Sequence, residues 1–433
     1  MLEGRALKEH TLNRLGYGMS EWHATRYDQL GFDRYVAQQL DGSLAAISRQ
    51  GTTVGSKLDR AVLERRQLET VLLDFWFNHF NVDATGGMVK RTVGVHQAAI
   101  SSRLLGKFGD LLLATAQSPA MLDYLDNRIN FKEEVRNGIQ LGLNENYARE
   151  LMELHTLGVD GGYVEADVVE VAKVLTGWST RDDVYLFKAS RHDRTQKTVM
   201  GATFPAGRNE EEGRELLAML AANPSTASFL SGKLCRRLVS ENPPSSVVNA
   251  SASAYESSDG DLAETVRTIL TADGFKADAA FRSKVKPPHR YVASALLAMG
   301  ANGAGQYAGI RDELLEGVGL LGETPYEVAP PTGYPESSGF WVSGASMLGR
   351  FGLANIIVRH GSLRNRLKTV SGANGAAAGA TVDAVASYML PGGISGETRD
   401  AAVRLTTDRA SNNDERVSMA ALAVLSSPEF VRF

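Results

Sequence analysis

Apolar residues recur at three- and four-residue intervals along most of the 433-residue chain, and this spacing predicts a mainly α-helical, multi-helical globular protein. Residues 60–81 carry the pattern without a glycine or proline, so they predict one long helix. The run 108–125 predicts two short helices, because Pro119 interrupts it. Further helices are expected at residues 144–157, 167–175, 209–240, 261–274 and 289–299.

Three segments depart from the helical pattern. Residues 184–188 and 197–201 flank a polar turn, which predicts a small β-hairpin or paired extended segments near 184–204. Residues 322–340 contain four prolines and predict a long ordered loop or lid, whereas the low-complexity run 371–380 predicts a mobile connector. We expect an N-terminal helical region (1–208) with the polar motifs and a C-terminal helical region (209–433), packed as one continuous unit.

Composition excludes several classes of protein. The chain has 46 Lys and Arg against 50 Asp and Glu, and this balance argues against nucleic-acid binding. The single cysteine, Cys235, excludes an internal disulfide and cysteine-based metal clusters. No apolar run reaches the ~18 residues of a membrane span. Without a signal peptide the sequence as written predicts a cytoplasmic protein, or a periplasmic or secreted one if a signal was removed.

A polar stripe lies along the predicted helix of residues 144–157, which Asn144 is expected to cap. On a regular helix Asn146, Glu150 and Glu153 project within about 60° of one another, and Arg149 lies beside them. Such a group can bind a hard cation, hold a sugar or act as an acid–base pair. The same spacing is typical of a solvated helix face with an Arg149–Glu153 ion pair.

His155 bears on the metal hypothesis. It lies five residues after Glu150 and two after Glu153, which on a regular helix directs it about 140–160° away from them. These three side chains therefore cannot chelate one ion from a regular helix. We expect His155 to pack near the helix end.

Two further segments combine polar and aromatic side chains. Asp74, Asn78 and Asn81 share one helical face, and the aromatic residues between them predict burial. His79 in that segment is then either a hydrogen-bonded core histidine or a ligand. The pair His192-Asp193 occurs in a polar turn and is either a weak metal dyad or a solvated turn.

Together these segments resemble the large bacterial family catalogued as domain of unknown function eighteen hundred. The resemblance is carried by residues 10–18, 75–80, 108–127, 144–158, 174–178, 192–193, Lys197, Gly201, 330–331, 340–341 and 426–430. It spans nearly the whole chain, although Gly333-Tyr334 replaces the Gly-Trp pair more common in the family. The resemblance implies a mostly helical bacterial protein, often encoded beside a sulfatase- or alkaline-phosphatase-like protein that is a possible partner.

Three functions remain open at this point. The first is a hydrolase or lyase that acts on a polar polymer such as a glycan through a carboxylate/histidine centre. Its catalytic candidates are Glu150, Glu153, His79, Arg149 and Asp193, and its substrate-binding candidates are Asn144, Asn146, Trp76, Asn78, Trp178 and Trp341. Because β-carbons three residues apart on a helix lie only about 5–6 Å from each other, a glycosidase would pair one glutamate with Asp74 or Asp193.

The second function is a metal-dependent hydrolase in which His79, His192 and Asp193 hold a divalent metal. The third is a non-catalytic partner or scaffold for the sulfatase/phosphatase-like protein. For a shared site, His79, Glu150, Glu153 and His192 should gather in one pocket.

Overall fold

The computed structural model describes residues 1–45, 51–136, 139–375 and 377–433, and helices dominate them. The helices of the N-terminal region are α1 (Gly4–Arg14), α2 (Glu21–Leu40), α3 (Val54–Leu63), α4 (Gln67–His79), α5 (Gly87–Ser101), α6 (Phe108–Ala116), α7 (Pro119–Tyr124), α8 (Asn146–Glu150) and α9 (Glu165–Val174). A π-helix, Leu151–Thr156, continues α8. The predicted mainly α-helical fold is confirmed.

Two helix predictions in this region had different outcomes. The break before Pro119 is confirmed, because α6 ends at Ala116 and α7 begins at Pro119. The single helix over 60–81 is wrong, because Glu64 is extended with ψ 143° and separates α3 from α4. The side-chain amide of Gln67 donates to the carbonyls of Ala61 (3.1 Å) and Glu64 (2.9 Å), which satisfies acceptors at the end of α3.

The described strands form three antiparallel pairs: β1 (Glu134–Arg136) with β2 (Ile139–Leu141), β3 (Trp178–Arg181) with β4 (Val184–Phe187), and β5 (Lys197–Val199) with β6 (Ala202–Phe204). Strand structure near 184–204 is thus confirmed, but residues 184–188 do not pair with 197–201. Strands β3 and β4 are joined by Asp182 and Asp183, whose φ angles are 52° and 59°. Strands β5 and β6 are joined by Met200 and Gly201, whose φ angles are 48° and 83°. Because both of these turns have positive φ, each strand pairs with the next strand in the chain. Such turns close tight hairpins.

The C-terminal region is also mainly helical. Its helices are α10 (Glu210–Ala221), α11 (Pro224–Leu238), α12 (Ser245–Ser257), α13 (Leu262–Thr271), α14 (Pro288–Ala298), α15 (Arg311–Leu320), α16 (Gly344–Arg359), α17 (Gly361–Ser371), α18 (Ala378–Met389), α19 (Gly396–Arg409), α20 (Asn413–Leu425) and α21 (Pro428–Val431). The predicted connector 371–380 links α17 to α18, and its Ala376 lies outside the described residues. None of the helices in the part of the chain described is long and apolar enough to cross a membrane.

Helix α14 lies at the centre of the molecule, and all eleven of its residues are buried. Its side chains contact the end of α1, because the Arg290 guanidinium donates to the carbonyls of Asn13 and Gly16, and the Ser294 hydroxyl donates to the carbonyl of Tyr17. The first helix of the chain is therefore bonded to an element that follows it by more than 270 residues. This arrangement brings polar side chains from both regions together.

Candidate functional site

Residues 322–340, here called the lid loop, run from the end of α15 to a short 3-10 turn (Ser338–Trp341) before α16. Two asparagines near the end of α4 bind this loop. The side-chain amide of Asn78 donates to the carbonyl of Tyr334 (2.9 Å) and accepts from its N–H (2.7 Å). The Asn81 amide donates to the carbonyls of Val328 (2.8 Å) and Pro330 (2.9 Å). The lid loop is thus fastened over α4.

Gly333 makes this close approach possible. Its φ is +65°, and a Cβ atom there would lie 2.5 Å from the backbone carbonyl oxygen of Asn78. A larger residue would therefore push the loop away from α4. The lid loop needs glycine at this position to reach its anchors.

A cavity of about 60 Å³ lies beneath the lid loop, and charged side chains from six parts of the fold surround it. We call it the charged cavity. Its charged and ionisable wall residues are Tyr17, Lys57 of α3, Asp74 of α4, Arg237 of α11, Lys284 in the segment before α14, His289 and Arg290 of α14, and Glu323 and Glu336 of the lid loop. Asn78, Tyr334 and Trp341 complete the polar and aromatic lining.

The carboxylates of the charged cavity each have protein partners. The Tyr17 hydroxyl donates to Asp74, and the Lys57 ammonium lies 3.5 Å from the same carboxylate. The carboxylate of Glu336 pairs with Lys284 at 2.9 Å and with Arg237 at 3.1 Å. Glu323 accepts from the backbone N–H of His289 at 2.7 Å, at the first turn of α14.

Burial and neighbouring charges set the protonation states here. Burial opposes ionisation of Glu336, but Lys284 and Arg237 outweigh it and hold the pKa of Glu336 at about 2. Burial raises the pKa of Glu323 above its usual value, although Lys57 opposes this. Burial, reinforced by the charge on Lys57, lowers the pKa of His289 to about 3, so its imidazole is neutral near pH 7. Burial also lowers the pKa of Arg290 to about 9.

Several buried nitrogen atoms of these wall residues have no hydrogen-bond partner among the described protein atoms. They are the Nε atom of Arg237, the Nε and Nη1 atoms of Arg290, and the Nε2 atom of His289. Four cationic side chains meet three carboxylates at the cavity. Because a buried donor without an acceptor costs free energy, an anion bound here would be stabilised by both the charge surplus and the free donors.

A second cavity of about 270 Å³, the His79 cavity, adjoins the first. It shares Asn78, Tyr334, Pro335 and Glu336 with the charged cavity and is also lined by His79, Lys233 and Arg236. The Lys233 ammonium lies 2.9 Å from His79 Nδ1, and His79 Nε2 lies 3.1 Å from the carbonyl of His155. His79 is thus both a buried, hydrogen-bonded histidine and a wall of a polar cavity.

The predicted carboxylates of residues 144–157 lie elsewhere. Glu150 and Glu153 are partly exposed and line neither cavity. Burial, with the charge on Glu153, raises the pKa of Glu150. Arg149 pairs with Glu145 (3.2 Å) and Glu165 instead of Glu153.

The assumption of a regular helix through this segment was wrong. Residues 151–156 form a π-helix, in which the N–H of Leu157 donates to the carbonyl of Met152, five residues back. His155 is buried there and packs against His79 and Phe80, as its predicted place near the helix end requires. The predicted cap at Asn144 is wrong, because the N-cap residue of α8 is Glu145, which makes no side-chain cap bond. Asn144 lies one residue earlier, and its Oδ1 accepts from the N–H of Asn146 at 3.0 Å.

His192 belongs to a separate buried network. Its Nε2 atom lies 2.9 Å from Glu212, which also pairs with Lys197 at 2.6 Å, and its Nδ1 atom lies 2.7 Å from the carbonyl of Thr176. The Asp193 carboxylate instead accepts from the N–H of Thr195 at 2.8 Å.

The predicted gathering of His79, Glu150, Glu153 and His192 in one pocket does not occur around the His79 cavity, because only His79 lines it. The predicted metal ligands His79, His192 and Asp193 do not form a cluster either. In the described residues no group of three or more His, Cys, Asp or Glu side chains could hold a metal ion. Both ring nitrogens of His79 have hydrogen-bond partners. His192 Nδ1 lies against the carbonyl of Thr176, whereas its Nε2 lies 2.9 Å from Glu212 without the geometry of a hydrogen bond.

Of the three tryptophans predicted to contact a substrate, two lie in the core and one lines a cavity. Trp76 and Trp178 are fully buried, so neither presents a ring to a ligand. Trp76 packs against Phe80 and Phe108 in the core. Trp341 and Asn78, in contrast, line the charged cavity.

Sequence reasoning missed most of the charged cavity. The residues that it did not single out are Tyr17, Lys57, Arg237, Lys284, His289, Arg290, Glu323 and Glu336. One signal was present: His289 and Arg290 open a helix that is otherwise almost entirely apolar through residue 299. Charged groups in such a helix must find partners when it is buried.

The fold and these cavities define a mainly helical protein with a charged cavity closed by a proline-rich loop. The chain belongs to the family described as "Protein of unknown function (DUF1800)", whose model matches residues 10–432. The resemblance seen in the sequence is therefore confirmed over nearly the whole chain. No curated protein and no solved structure matches it.

Proposed function

We propose that the charged cavity binds the anionic group of a polar, glycan-like ligand, on which the protein acts as a hydrolase or lyase. The observation that carries this proposal is the surplus of cationic side chains with unpartnered guanidinium N–H groups around the cavity beneath the lid loop. Arg237 and Arg290 have guanidinium N–H groups that can donate hydrogen bonds to an anionic oxygen. The low local dielectric strengthens such bonds relative to those made in water.

Of the two reactions, elimination is the one these side chains favour. Cations that neutralise a carboxylate stabilise the negative charge that develops when a base removes the neighbouring C–H proton. Burial and the neighbouring Asp74 raise the pKa of Tyr17, so its hydroxyl stays protonated and is the candidate acid for the leaving oxygen, while the neutral imidazole of His289 is the candidate acceptor of the C–H proton. The arrangement supports a lyase acting on a glycan that contains uronic acids.

Anion binding can be measured by calorimetry with sulfate at constant ionic strength. We expect the wild type to bind sulfate and Arg237→Gln to bind it about tenfold or more weakly, because a bond from a charged donor contributes roughly 1.5–3 kcal/mol. Arg267→Gln removes an exposed arginine from α13 and should bind like the wild type. Equal affinity in all three proteins would contradict the proposal.

The reaction can be identified by its products. We expect incubation with uronic-acid polysaccharides to produce the ultraviolet absorbance of an unsaturated uronate together with new reducing ends. Reducing ends without that absorbance would show hydrolysis in place of elimination. If neither appears with any acidic polysaccharide while sulfate still binds, the cavity is a binding site without this chemistry.

Glu150 and Glu153 stay predicted acid–base residues, supported by the raised pKa of Glu150. Their partly exposed position beside a π-helix, a feature often found at functional sites, also supports a role. Glu150 and Glu153 line neither cavity. A reaction that they share with Tyr17 would therefore need a ligand that extends from the charged cavity to these two glutamates.

A second candidate function, the partner or scaffold role, is favoured by an exposed apolar surface beside the lid loop. Its residues are Leu320, Phe340, Val342, Met347, Leu348 and Phe351. The end of α15 packs on α16 there, since a Cβ on Gly349 would lie 2.4 Å from Leu321. Exposed apolar groups of this kind mark protein interaction sites.

The partner role predicts a specific loss of binding. We expect Leu348→Lys, which changes a side chain 75% exposed, to abolish co-purification with a sulfatase/phosphatase-like protein encoded beside it. Val95→Lys changes an isolated exposed valine on α5 and should leave co-purification intact. Co-purification that survives Leu348→Lys would remove this surface from consideration.

A further inference from the structure

Lys233 is an amine without an acidic partner. Its Nζ atom lies 2.9 Å from His79 Nδ1 and 5.3 Å from the centre of the Phe229 ring, and no carboxylate of the described residues lies within ion-pair distance. His79 Nε2 faces the carbonyl of His155 and must carry the ring hydrogen, so Nδ1 is the acceptor. Lys233 therefore donates to a neutral imidazole.

The surroundings favour a neutral amine. Burial lowers the pKa of Lys233 to about 8; Glu336 in the shared wall opposes this shift and Arg236 adds to it. Burial also places the pKa of His79 well below its usual value, and the charge on Lys233 and the neighbouring His155 act in the same direction. Near pH 8 a substantial fraction of Lys233 consequently has a free lone pair.

We propose that Lys233 is a nucleophile that forms an imine with an aldehyde or ketone bearing an anionic group. A desolvated lysine next to another cation is a recognised arrangement for carbonyl chemistry. The nitrogen lone pair attacks the carbonyl carbon, a C=N bond replaces the C=O bond, and both nitrogen protons leave with the oxygen as water. His79 Nδ1, which already accepts a Lys233 N–H, is placed to carry one of those protons.

The walls of the His79 cavity suggest which carbonyl compound fits. Its volume of about 270 Å³ suits a small molecule, and it meets the charged cavity at Asn78, Tyr334 and Glu336. A ligand can thus place its carbonyl group at Lys233 and its anionic group toward Arg237. The anionic preference rests on the proposed function, whereas attachment to Lys233 does not.

The intact wild-type protein tests both parts. It would be incubated with glyoxylate, or with the neutral acetaldehyde, in the presence of cyanoborohydride, and modified lysines would be mapped by peptide mass spectrometry. We expect glyoxylate to modify Lys233 about tenfold or more faster than Lys173, with half-maximal rate near pH 8. Lys173 is a matched control because it is also partly exposed but pairs with Glu170 at 2.8 Å.

Two variants test whether the reaction depends on Lys233 and His79. Lys233→Arg keeps the charge and should lose the modification at this position, while His79→Gln should slow it; melting curves show that each variant is folded. Equal rates at Lys233 and Lys173 would overturn the imine proposal, even if sulfate binding to the charged cavity is intact. Equal rates with glyoxylate and acetaldehyde at a reactive Lys233 would keep the amine assignment and overturn the anionic preference.

Discussion

Glu336 shows how single charged residues hold the lid loop in place. It lies between Lys284 and Arg237, and its carboxylate is ionised at neutral pH because the two cations outweigh the effect of burial. Its pKa of about 2 in the folded protein is below the usual 4.5 of the unfolded chain. Ionised Glu336 therefore stabilises the fold above about pH 4.5, and this contribution is lost as the pH falls towards 2.

Glu336→Gln should lower the free energy of unfolding by about 3 kcal/mol at pH 7, because two buried cations lose their partner. The difference from the wild type should shrink between pH 5 and pH 2, as Glu336 becomes protonated in the wild type. Urea unfolding across this range measures it. Glu316→Gln, at an exposed position of α15, is the control and should change stability by no more than about 0.5 kcal/mol. A pH-independent difference for Glu336→Gln would contradict this account.

Glu150 should behave in the opposite way. Its pKa is raised in the folded protein, so the ionised form weakens the fold at pH 7. This cost decreases as the pH falls through the folded pKa and is gone below the usual value of 4.5. We expect Glu150→Gln to keep or raise the melting temperature near pH 7, as for a carboxylate held for function. A fall of more than about 6 °C, well over 1 kcal/mol for a chain of this size, would make Glu150 part of a structural network.

At the scale of elements, the end of α4 controls the lid loop. Asn81 donates to two carbonyls of the loop and does not line the charged cavity. Asn81→Ala removes both bonds and should cost about 1–3 kcal/mol locally, since one buried and one partly buried carbonyl lose their donor. We expect faster hydrogen exchange at residues 326–334 with unchanged protection of α14. Asn146→Ala, at an exposed position, should alter neither.

At the scale of the whole molecule, the two predicted regions share their polar core. Arg282 pairs with Glu9 at 2.7 Å, Arg290 bonds the end of α1, and the charged cavity takes side chains from both regions. We expect fragments 1–208 and 209–433, expressed separately, to lack the near-ultraviolet circular dichroism of fixed side chains, and the intact chain to unfold in one transition. Independent folding of either fragment would show that the regions are separate domains.

The sequence by itself determined the helical class, the break before Pro119, the long loop over 322–340 and the family. Each depends on local periodicity, on backbone restrictions of glycine and proline, or on motifs in fixed order. It also indicated Asn78, His79 and Trp341, because polar residues in an aromatic segment must find buried partners.

Only the tertiary structure decided which charges meet. Lys57, Arg237 and Arg290 lie far apart in the chain, and the neighbours of Lys57 and Arg237 do not distinguish these two from charges on solvated helix faces. The π-helix at 151–156 and the hairpin partners likewise depend on packing and turn geometry beyond a regular helical pattern. A site assembled from segments far apart in the chain is a property of their packing, because charge pairing and burial act through space and not along the sequence.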